Sequence, residues 1–152
     1  MPSASSPSPD IAIHLVPVSD PAAIARCHEV MRELRPHLAD LGAFTEAVVR
    51  SQMVGSQFVY LEAGGLVRSV TSFRLCHNLA WGYHMYVDDL VTRAQDHGHG
   101  YGSALIDWLI SEARDRGCAQ FHLDSGVQRF DAHRFYLHKG MNITSHHFGL
   151  SF

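Results

Sequence analysis

The spacing of hydrophobic and polar residues changes several times along the chain, which indicates that strands and helices alternate. Residues 11–18 alternate between apolar and polar side chains and are rich in β-formers, which predicts a first strand. Asp20 followed by Pro21 is typical of a helix start, with an N-cap and a proline at the first helical position. This helix is expected to end before Pro36, and its apolar face contains Ile24, Cys27, Met31 and Leu34.

Further along the chain, a second helix precedes a hairpin, and strands and helices then alternate to the end. The predicted elements are a helix at 45–52, hairpin strands at 58–62 and 66–75, a strand at 80–92, a helix at 100–116, a strand at 119–124, a helix at 128–139 and a strand at 143–152. The order βααβββαβαβ predicts a single α/β domain with a mixed sheet over residues 11–152. Residues 1–10 are rich in Ser and Pro without a signal-peptide core, so we expect a disordered tail there.

The composition is that of a globular protein and excludes several functional classes. Of 152 residues, 46% are hydrophobic and 18% charged, and the net charge of −3 argues against sequence-independent nucleic-acid binding. The apolar runs are far shorter than the roughly 20 residues of a membrane span. The three cysteines, Cys27, Cys76 and Cys118, are too far apart to form a metal or redox pair. We therefore expect a protein of the reducing cytoplasm with no membrane or nucleic-acid partner.

One segment combines glycines with a predicted helix start. His97-Gly98-His99-Gly100-Tyr101-Gly102-Ser103 lies between a strand and a helix, where backbone N–H groups and the helix dipole favour an anion. A Walker loop is excluded because no lysine precedes Ser103, and a dinucleotide fingerprint because the glycine spacing differs and only about fifty residues follow. Two histidines around a glycine lack a third ligand at recognisable spacing, which argues against structural zinc. Taken alone, the segment could also be a tight junction that binds nothing.

Two motifs involve the glycine segment and the region after it. The first is Tyr-Val-Asp-Asp-Leu-Val-Thr at 86–92 with Gly-His-Gly-Tyr-Gly-Ser-Ala-Leu at 98–105. The second is Ala-His-Arg-Phe-Tyr at 132–136 with Lys-Gly-Met at 139–141. Both motifs resemble those of the GCN5-related N-acetyltransferases. The resemblance implies that family's fold, a twisted mixed sheet of six or seven strands flanked by about four helices. Within the superfamily, Arg129 and residues 131–137 look most like the aminoalkylphosphonate N-acetyltransferases.

The resemblance also implies a binding mode for acetyl-CoA as cosubstrate. Backbone N–H groups of the glycine segment would hold the pyrophosphate, and Leu90, Val91 and Thr92 would pair with the pantetheine arm. Tyr136 matches the tyrosine that protonates the departing thiolate, although a core tyrosine is the alternative. His97 and His99 depart from the family pattern, as does Arg129, where many members carry asparagine. Because imidazole titrates near pH 6.5, we expect acetyl-CoA affinity to rise as the pH falls from about 8 to 6.

Acetyl transfer to an amine needs a group that removes a proton from the nitrogen. Along the strand before the glycine segment, His84, Tyr86, Asp88 and Leu90 share a face. Asp88 is the first candidate for the base and His84 the second. Asp89 has the opposite parity unless a bulge reverses it. For either aspartate, an ordinary solvated carboxylate is the alternative.

The predicted function is direct acetyl transfer from acetyl-CoA to a small primary amine, with Arg35, Arg74 and Arg129 as candidate ligands for an anionic substrate. No covalent acyl-enzyme is expected, since no cysteine lies in the motifs. The alternatives are acetylation of protein or peptide amines and a non-catalytic acyl-CoA-binding module. A homodimer through the last predicted strand, 143–152, is a further expectation.

Overall fold

The computed structural model describes residues 10–152, so nearly all of the predicted N-terminal tail lies outside the described residues. The described residues form two compact units, which divide between His122 and Leu123. None of the helices within residues 10–152 is long and apolar enough to cross a membrane.

The first unit contains most of the regular structure. Its elements are β1 (Ile11–Leu15), α1 (Pro21–Leu34), a 3-10 turn (Pro36–Leu38), α2 (Leu41–Met53), β2 (Gln57–Ala63), β3 (Leu66–Asn78), β4 (Gly82–Thr92), a second 3-10 turn (Ala94–Asp96), α3 (Tyr101–Asp115) and β5 (Gln120–Leu123), whose last residue begins the second unit. The second unit contains α4 (Phe130–His138).

The five strands form one sheet in the order β1-β2-β3-β4-β5, and the pairs from β1 to β4 are antiparallel. β5 begins beside the start of β4, where the Ala119 N–H donates to the Tyr83 carbonyl at 2.7 Å. β5 has four residues and β4 has eleven, so β5 pairs with only the first part of β4. Within residues 10–152, the second part of β4 therefore extends beyond β5 and has no strand beside it on that edge.

The first two helices start at aspartate caps. Asp20 accepts from the N–H groups of Ala22 and Ala23 at 3.1 and 3.2 Å, as the Asp-Pro signal predicts. Asp40 accepts from the Ala43 N–H at 2.8 Å, so α2 begins at Leu41, earlier than the predicted residue 45. Such a cap contributes about 1 kcal/mol, and the Asp40 cap accounts for the extra turn.

Helices cover both faces of the sheet within the first unit. On one face, α1 and α2 contribute to a continuous apolar core of Val16, Ile24, Cys27, Val30, Met31, Phe44, Val48, Phe58, Tyr60 and Val70. On the other face, Trp108 of α3 contacts Phe73 of β3 edge to face, with ring centroids 6.4 Å apart. Leu105, Ile106 and Leu109 of α3 are fully buried. The helical spacing of apolar residues in α1 and α3 therefore predicts which faces of these helices pack against the sheet.

The fold class and the order of elements are confirmed except for the last strand. The sheet has five strands within residues 10–152 instead of six or seven, because residues 143–152 form no strand. Their apolar side chains are exposed: Ile143, Phe148, Leu150 and Phe152. An alternating pattern makes a segment suitable for a sheet, but a strand also needs a neighbouring edge for its backbone hydrogen bonds.

Candidate active site

A β-bulge in β4 determines which carboxylate faces α1 and α2. The register places Asp89 opposite Ser72 and Tyr86 opposite Arg74, with Asp88 as the extra residue of β4. Ser72 and Arg74 are two positions apart on β3, so they share one face of the sheet, and their partners lie on the same face. The bulge therefore puts Asp89 on the face of Tyr86, which simple alternation would not do.

Asp89 is held by one residue at the end of α1 and one on β3. The Arg35 Nε donates to one carboxylate oxygen at 2.7 Å, and the Ser72 hydroxyl donates to the other. Arg35 also donates through Nη2 to the Asp88 carbonyl at 3.2 Å. These bonds fix the end of α1 to the bulge and leave the Asp89 side chain only 17% exposed.

Asp89 and Arg35 border a small cavity of about 260 Å³ between α1, the first 3-10 turn and α2. The lining is Met31, Arg35, His37, Leu38, Phe44, Ala47, Val48, Ser51, Phe58 and Asp89. Most of these side chains are apolar, and the ion pair gives the cavity one charged end. Of the three candidates for the base, only Asp89 belongs to this lining.

Asp88 and Arg74 form a second ion pair on the same face. Nε and Nη2 of Arg74 donate to the two Asp88 oxygens at 2.7 and 2.9 Å, and the guanidinium lies 5.2 Å from the centroid of the Tyr86 ring. The hydrogen bond to Asp88 raises the pKa of Arg74, so this side chain is permanently cationic. Because Arg35 and Arg74 are each paired with a carboxylate, neither guanidinium carries an uncompensated positive charge.

His84, the second candidate for the base, is packed among aromatic rings. It is 3% exposed, and its Nδ1 lies 2.9 Å from the Gly82 carbonyl oxygen. Its ring meets the Trp81 ring edge to face at 5.0 Å, and Trp81 stacks on His122 at 3.6 Å. This arrangement gives His84 a clear packing role.

Two predicted site residues belong to the second unit. Arg129 occupies the N-cap position of α4, and Tyr136 lies within that helix. Burial raises the pKa of Tyr136 above its usual value, and the charge of Arg129 offsets only part of this rise. The phenol is therefore protonated at neutral pH, as a proton donor must be.

The glycine segment has the backbone geometry that a phosphate ligand needs. Gly98 and Gly100 have φ angles of 84° and 82°, a region that other residues rarely adopt. Gly100 is the N-cap of α3 and brings no side chain to the helix start, and within residues 10–152 no side chain caps it. The first helical hydrogen bond runs from Ala104 to Gly100 at 2.9 Å, so the amides before it lie outside the regular helical hydrogen bonds. These residues fit a pyrophosphate.

Gly102 allows α3 to approach β4 closely. A Cβ atom on Gly102 would lie 2.9 Å from the Thr92 Oγ1, which is too close for an unstrained contact. Thr92 Oγ1 is itself 3.1 Å from the Ser69 hydroxyl. Gly102 therefore allows α3 to lie close to the end of β4, whereas Gly98 and Gly100 adopt the positive φ angles of the segment.

Each histidine of the glycine segment contacts a backbone carbonyl. His97 Nε2 lies 3.1 Å from the Thr92 oxygen, and His99 Nδ1 lies 3.1 Å from the Asp96 oxygen. A carbonyl only accepts, so these ring nitrogens donate.

An aspartate that the sequence analysis did not single out anchors the glycine segment. Asp96 is 6% exposed and accepts from Arg68 at 2.9 Å and from Arg93 at 2.8 Å. Burial alone raises the pKa of Asp96, but the hydrogen bond from Arg93 and the charge of Arg68 outweigh it and hold that pKa below its usual value. Arg68 also lies 5.7 Å from the ring centroid of Tyr101 in α3. In the sequence, the signal for this role of Asp96 is its spacing of three residues from Arg93, which by itself is weak evidence for an ion pair.

Buried hydroxyls of β3 hold the open half of β4 from one side. Ser69 and Thr71 are fully buried and donate to the carbonyls of Val91 and Asp89, both at 2.8 Å. These bonds fix the backbone of 90–92 in an extended form. Polar residues at buried strand positions are the signal that could have identified Ser69 and Thr71 from the sequence.

The cysteines do not contribute to this arrangement. All three are free, and burial raises the pKa of Cys27 to about 12. Burial also raises the pKa of Cys118, partly offset by the charge of Arg116. These two thiols are therefore poor nucleophiles.

Comparison with known proteins gives the family. The model of the acetyltransferase (GNAT) family matches residues 26–141. An uncharacterised N-acetyltransferase, YhdJ of Bacillus subtilis strain 168, is 31% identical over 138 residues, which are 90% of this chain and 96% of that protein. The aminoalkylphosphonate N-acetyltransferase of Salmonella typhimurium strain LT2 is 39% identical over 54 residues, only 36% of this chain and 35% of that protein.

The same fold occurs in solved structures. The aminoglycoside N-acetyltransferase AAC(6')-Iy in complex with CoA has a TM-score of 0.79 at 11% identity, covering 97% of this chain and 98% of that one. The chain therefore belongs to the acetyltransferase (GNAT) family and is an enzyme of acetyl-CoA-dependent N-acetyl transfer.

Proposed function

We propose that the enzyme transfers the acetyl group directly to a small primary amine that enters the cavity beside Asp89. The observation that carries the proposal is the bulge at Asp88, which puts the Asp89 carboxylate at the charged end of a cavity of about 260 Å³. A pocket of this volume suits a small molecule, since drug-sized ligands occupy about 300–1,000 Å³.

The acetyl-CoA site in this proposal consists mainly of backbone groups. Amides from Gly98 to Ser103 and the start of α3 bind the pyrophosphate, with His97 and His99 beside them. Leu90, Val91 and Thr92 offer the open edge of β4 to the pantetheine arm, which adds as an extra strand. The residues fit this ligand because the glycines hold the required backbone angles and Asp96 anchors the segment.

The reaction proceeds without a covalent enzyme intermediate. Acetyl-CoA supplies a thioester carbonyl, the amine nitrogen forms the new C–N bond to it, and the C–S bond breaks with its electron pair leaving on sulfur. Asp89 binds the ammonium form of the substrate, accepts the proton that the nitrogen loses before attack, directly or through one water, and passes it to solvent. Tyr136, which the family resemblance assigns as the acid, donates a proton to the thiolate and regains one from solvent, which takes up the second proton lost by the nitrogen. The balance is one amide, one free thiol and one released proton per turnover.

Asp88 and His84 have other roles in this proposal. Asp88 neutralises Arg74 through two hydrogen bonds, and His84 packs edge to face against the stacked rings of Trp81 and His122. Asn substitution of Asp89 should therefore lower kcat/KM far more than Asn substitution of Asp88. Equal losses in the two variants would contradict the assignment of Asp89.

A second candidate substrate class is the aminoalkylphosphonates. The partial similarity to the Salmonella enzyme supports this class, as do Arg35 in the cavity lining and Arg74 on the same face of the sheet as Ser72. Against it, each guanidinium already uses two of its nitrogens on Asp88 or Asp89, which leaves few donors for the three oxygens of a phosphonate. Protein or peptide amines remain the third class, and the net charge of −3 gives little attraction for a basic peptide.

The proposal extends to the organisation of the protein. Residues 11–152 act as one N-acetyltransferase domain, as the family match across both units supports. The exposed alternating side chains of 143–152 support a homodimer, in which this segment pairs with a second copy. Three free cysteines support a reducing cytoplasmic location. Light scattering of the full chain and of a Phe148→Ser variant tests the dimer, because a monomeric wild type would contradict it.

The central experiment measures free-thiol release from acetyl-CoA with a panel of amines. The panel contains amino acids, aminoalkylphosphonates, polyamines, aminosugars and a lysine peptide, and the product is identified by mass spectrometry. We expect amine-dependent thiol release with a small amine and an N-acetylated product. Turnover confined to the peptide would contradict the proposed substrate size.

A further inference from the structure

The charged end of the cavity has one unused donor. Arg35 employs Nε on Asp89 and Nη2 on the Asp88 carbonyl, and its Nη1 donates to no acceptor within residues 10–152. The side chain is 42% exposed, so a ligand can reach it. A guanidinium nitrogen that is held in place and still has free N–H groups is well suited to bind a carboxylate.

Asp89 provides the opposite charge next to this donor, since its carboxylate is paired with the same guanidinium. Its two oxygens each accept one hydrogen bond, from Arg35 and from Ser72. A carboxylate has about four acceptor positions, so Asp89 can accept further N–H groups from an ammonium. Together, Arg35 and Asp89 present a cation and an anion side by side, which is the complement of a zwitterion.

Apart from Arg35 and Asp89, six of the eight side chains that line the cavity are apolar, and the two polar ones are His37 and Ser51. The apolar side chains include Met31, Phe44, Val48 and Phe58, all of them buried members of the main core. Burial of hydroxyl or ammonium groups among them would cost desolvation without new hydrogen bonds. A single aliphatic or aromatic side chain instead gains free energy from the same surroundings.

We propose that the acceptor is an apolar α-amino acid of the leucine, methionine or phenylalanine type. Its ammonium lies on Asp89, its carboxylate on Arg35 Nη1, and its side chain among Met31, Phe44 and Phe58. The proposal rests on the proposed function and specifies its substrate class. An aminoalkylphosphonate shares the zwitterionic head but has no apolar side chain to fill the cavity.

The test compares kcat/KM for matched substrates in the thiol-release assay. L-Leucine should exceed glycine, which lacks the side chain, by about tenfold or more. It should also exceed isoamylamine, which is leucine without the carboxylate, by at least about tenfold. Preference for 2-aminoethylphosphonate or for a leucyl peptide over leucine would overturn the proposal and leave small-amine or peptide acetylation standing.

Variants separate recognition from structure. Arg35→Gln also loosens Asp89 and should lower kcat/KM for both substrates, but the loss for leucine should be at least about tenfold larger than for isoamylamine, because only leucine has a carboxylate. The matched control is Arg32→Gln, an exposed arginine of the same helix, which should change neither value. Equal losses on leucine and isoamylamine in Arg35→Gln would overturn the proposal by making Arg35 a structural residue.

A cavity-filling variant provides an independent measurement. Val48→Phe should abolish the advantage of leucine over glycine, since the side chain of Val48 lines the cavity. A retained advantage would overturn the placement of the leucine side chain. Silence with every amine while acetyl-CoA still binds would overturn the proposed function itself, which distinguishes the two failures.

Discussion

Gly102 provides a direct test of how the glycine segment is built. Its α-carbon is so close to β4 that an added Cβ would lie 2.9 Å from the Thr92 Oγ1, whereas ordinary contacts begin at about 3.4 Å. In Gly102→Ala, α3 or Thr92 must therefore move by about half an ångström. Thr92 moves reluctantly, because its side chain is β-branched and contacts the buried Ser69 hydroxyl at 3.1 Å.

The expected magnitude follows from two opposing effects. Overpacking of this kind costs about 1–3 kcal/mol, and replacement of glycine by alanine in a helix returns up to about 1 kcal/mol. We therefore expect Gly102→Ala to lower the free energy of unfolding by about 1 kcal/mol. The shift of the Gly102 amide should also weaken acetyl-CoA binding about tenfold, because a hydrogen bond to a charged phosphate is lost or lengthened.

A double-mutant cycle isolates the contact. Thr92→Ala removes the hydroxyl, so adding Gly102→Ala in that background should cost nothing or stabilise the protein slightly. Urea unfolding gives the stabilities of the four proteins, and isothermal titration gives their affinities for acetyl-CoA. If Gly102→Ala costs the same free energy with and without the Thr92 hydroxyl, close approach is not the reason for this glycine.

Three further predictions concern titratable groups. Tyr136→Phe should reduce kcat about a hundredfold without changing the Kd of acetyl-CoA, and an unchanged kcat would refute its role as the acid. Because burial raises the pKa of Tyr136, its deprotonation should not lower the wild-type kcat at any pH below about 10. Asp96→Asn should lower the unfolding free energy by about 2 kcal/mol at pH 7. Because the pKa of Asp96 is lowered in the folded protein, this difference from wild type should shrink as the pH falls below the usual carboxyl value of 3.8. A difference that stays constant with pH in urea unfolding would refute the role of the Asp96 charge. Replacing both His97 and His99 with Gln should raise the Kd of acetyl-CoA, because both rings lie beside the proposed pyrophosphate site, and an unchanged Kd in isothermal titration would refute their role.

The elements that the sequence predicted well have local causes. α1 begins where an aspartate cap and a proline both specify a start, and its apolar face follows the helical period. The glycine segment was recognisable for the same reason, since positive φ angles and a helix start are properties of adjacent residues. Local signals of this kind suffice for the element order and for the family.

Other features depend on residues that are distant in sequence. Arg35 and Asp89 are 54 positions apart, and only the folded chain brings the guanidinium to the carboxylate. The extra residue in β4 is visible only in its register with β3, so parity alone favoured Asp88 over Asp89. The predicted last strand is wrong for a related reason, since 143–152 contains β-forming residues but pairs with no strand within residues 10–152.

The central claim is direct acetyl transfer to a small amine bound at Asp89, and the most direct test is a thiol-release comparison of wild type with Asp89→Asn. Asp88→Asn serves as the control, and acetyl-CoA affinity is measured for all three proteins. The account predicts amine-dependent release by wild type, a loss of about a hundredfold or more in Asp89→Asn alone, and one Kd for acetyl-CoA throughout. Amine-dependent turnover that survives in Asp89→Asn would contradict it.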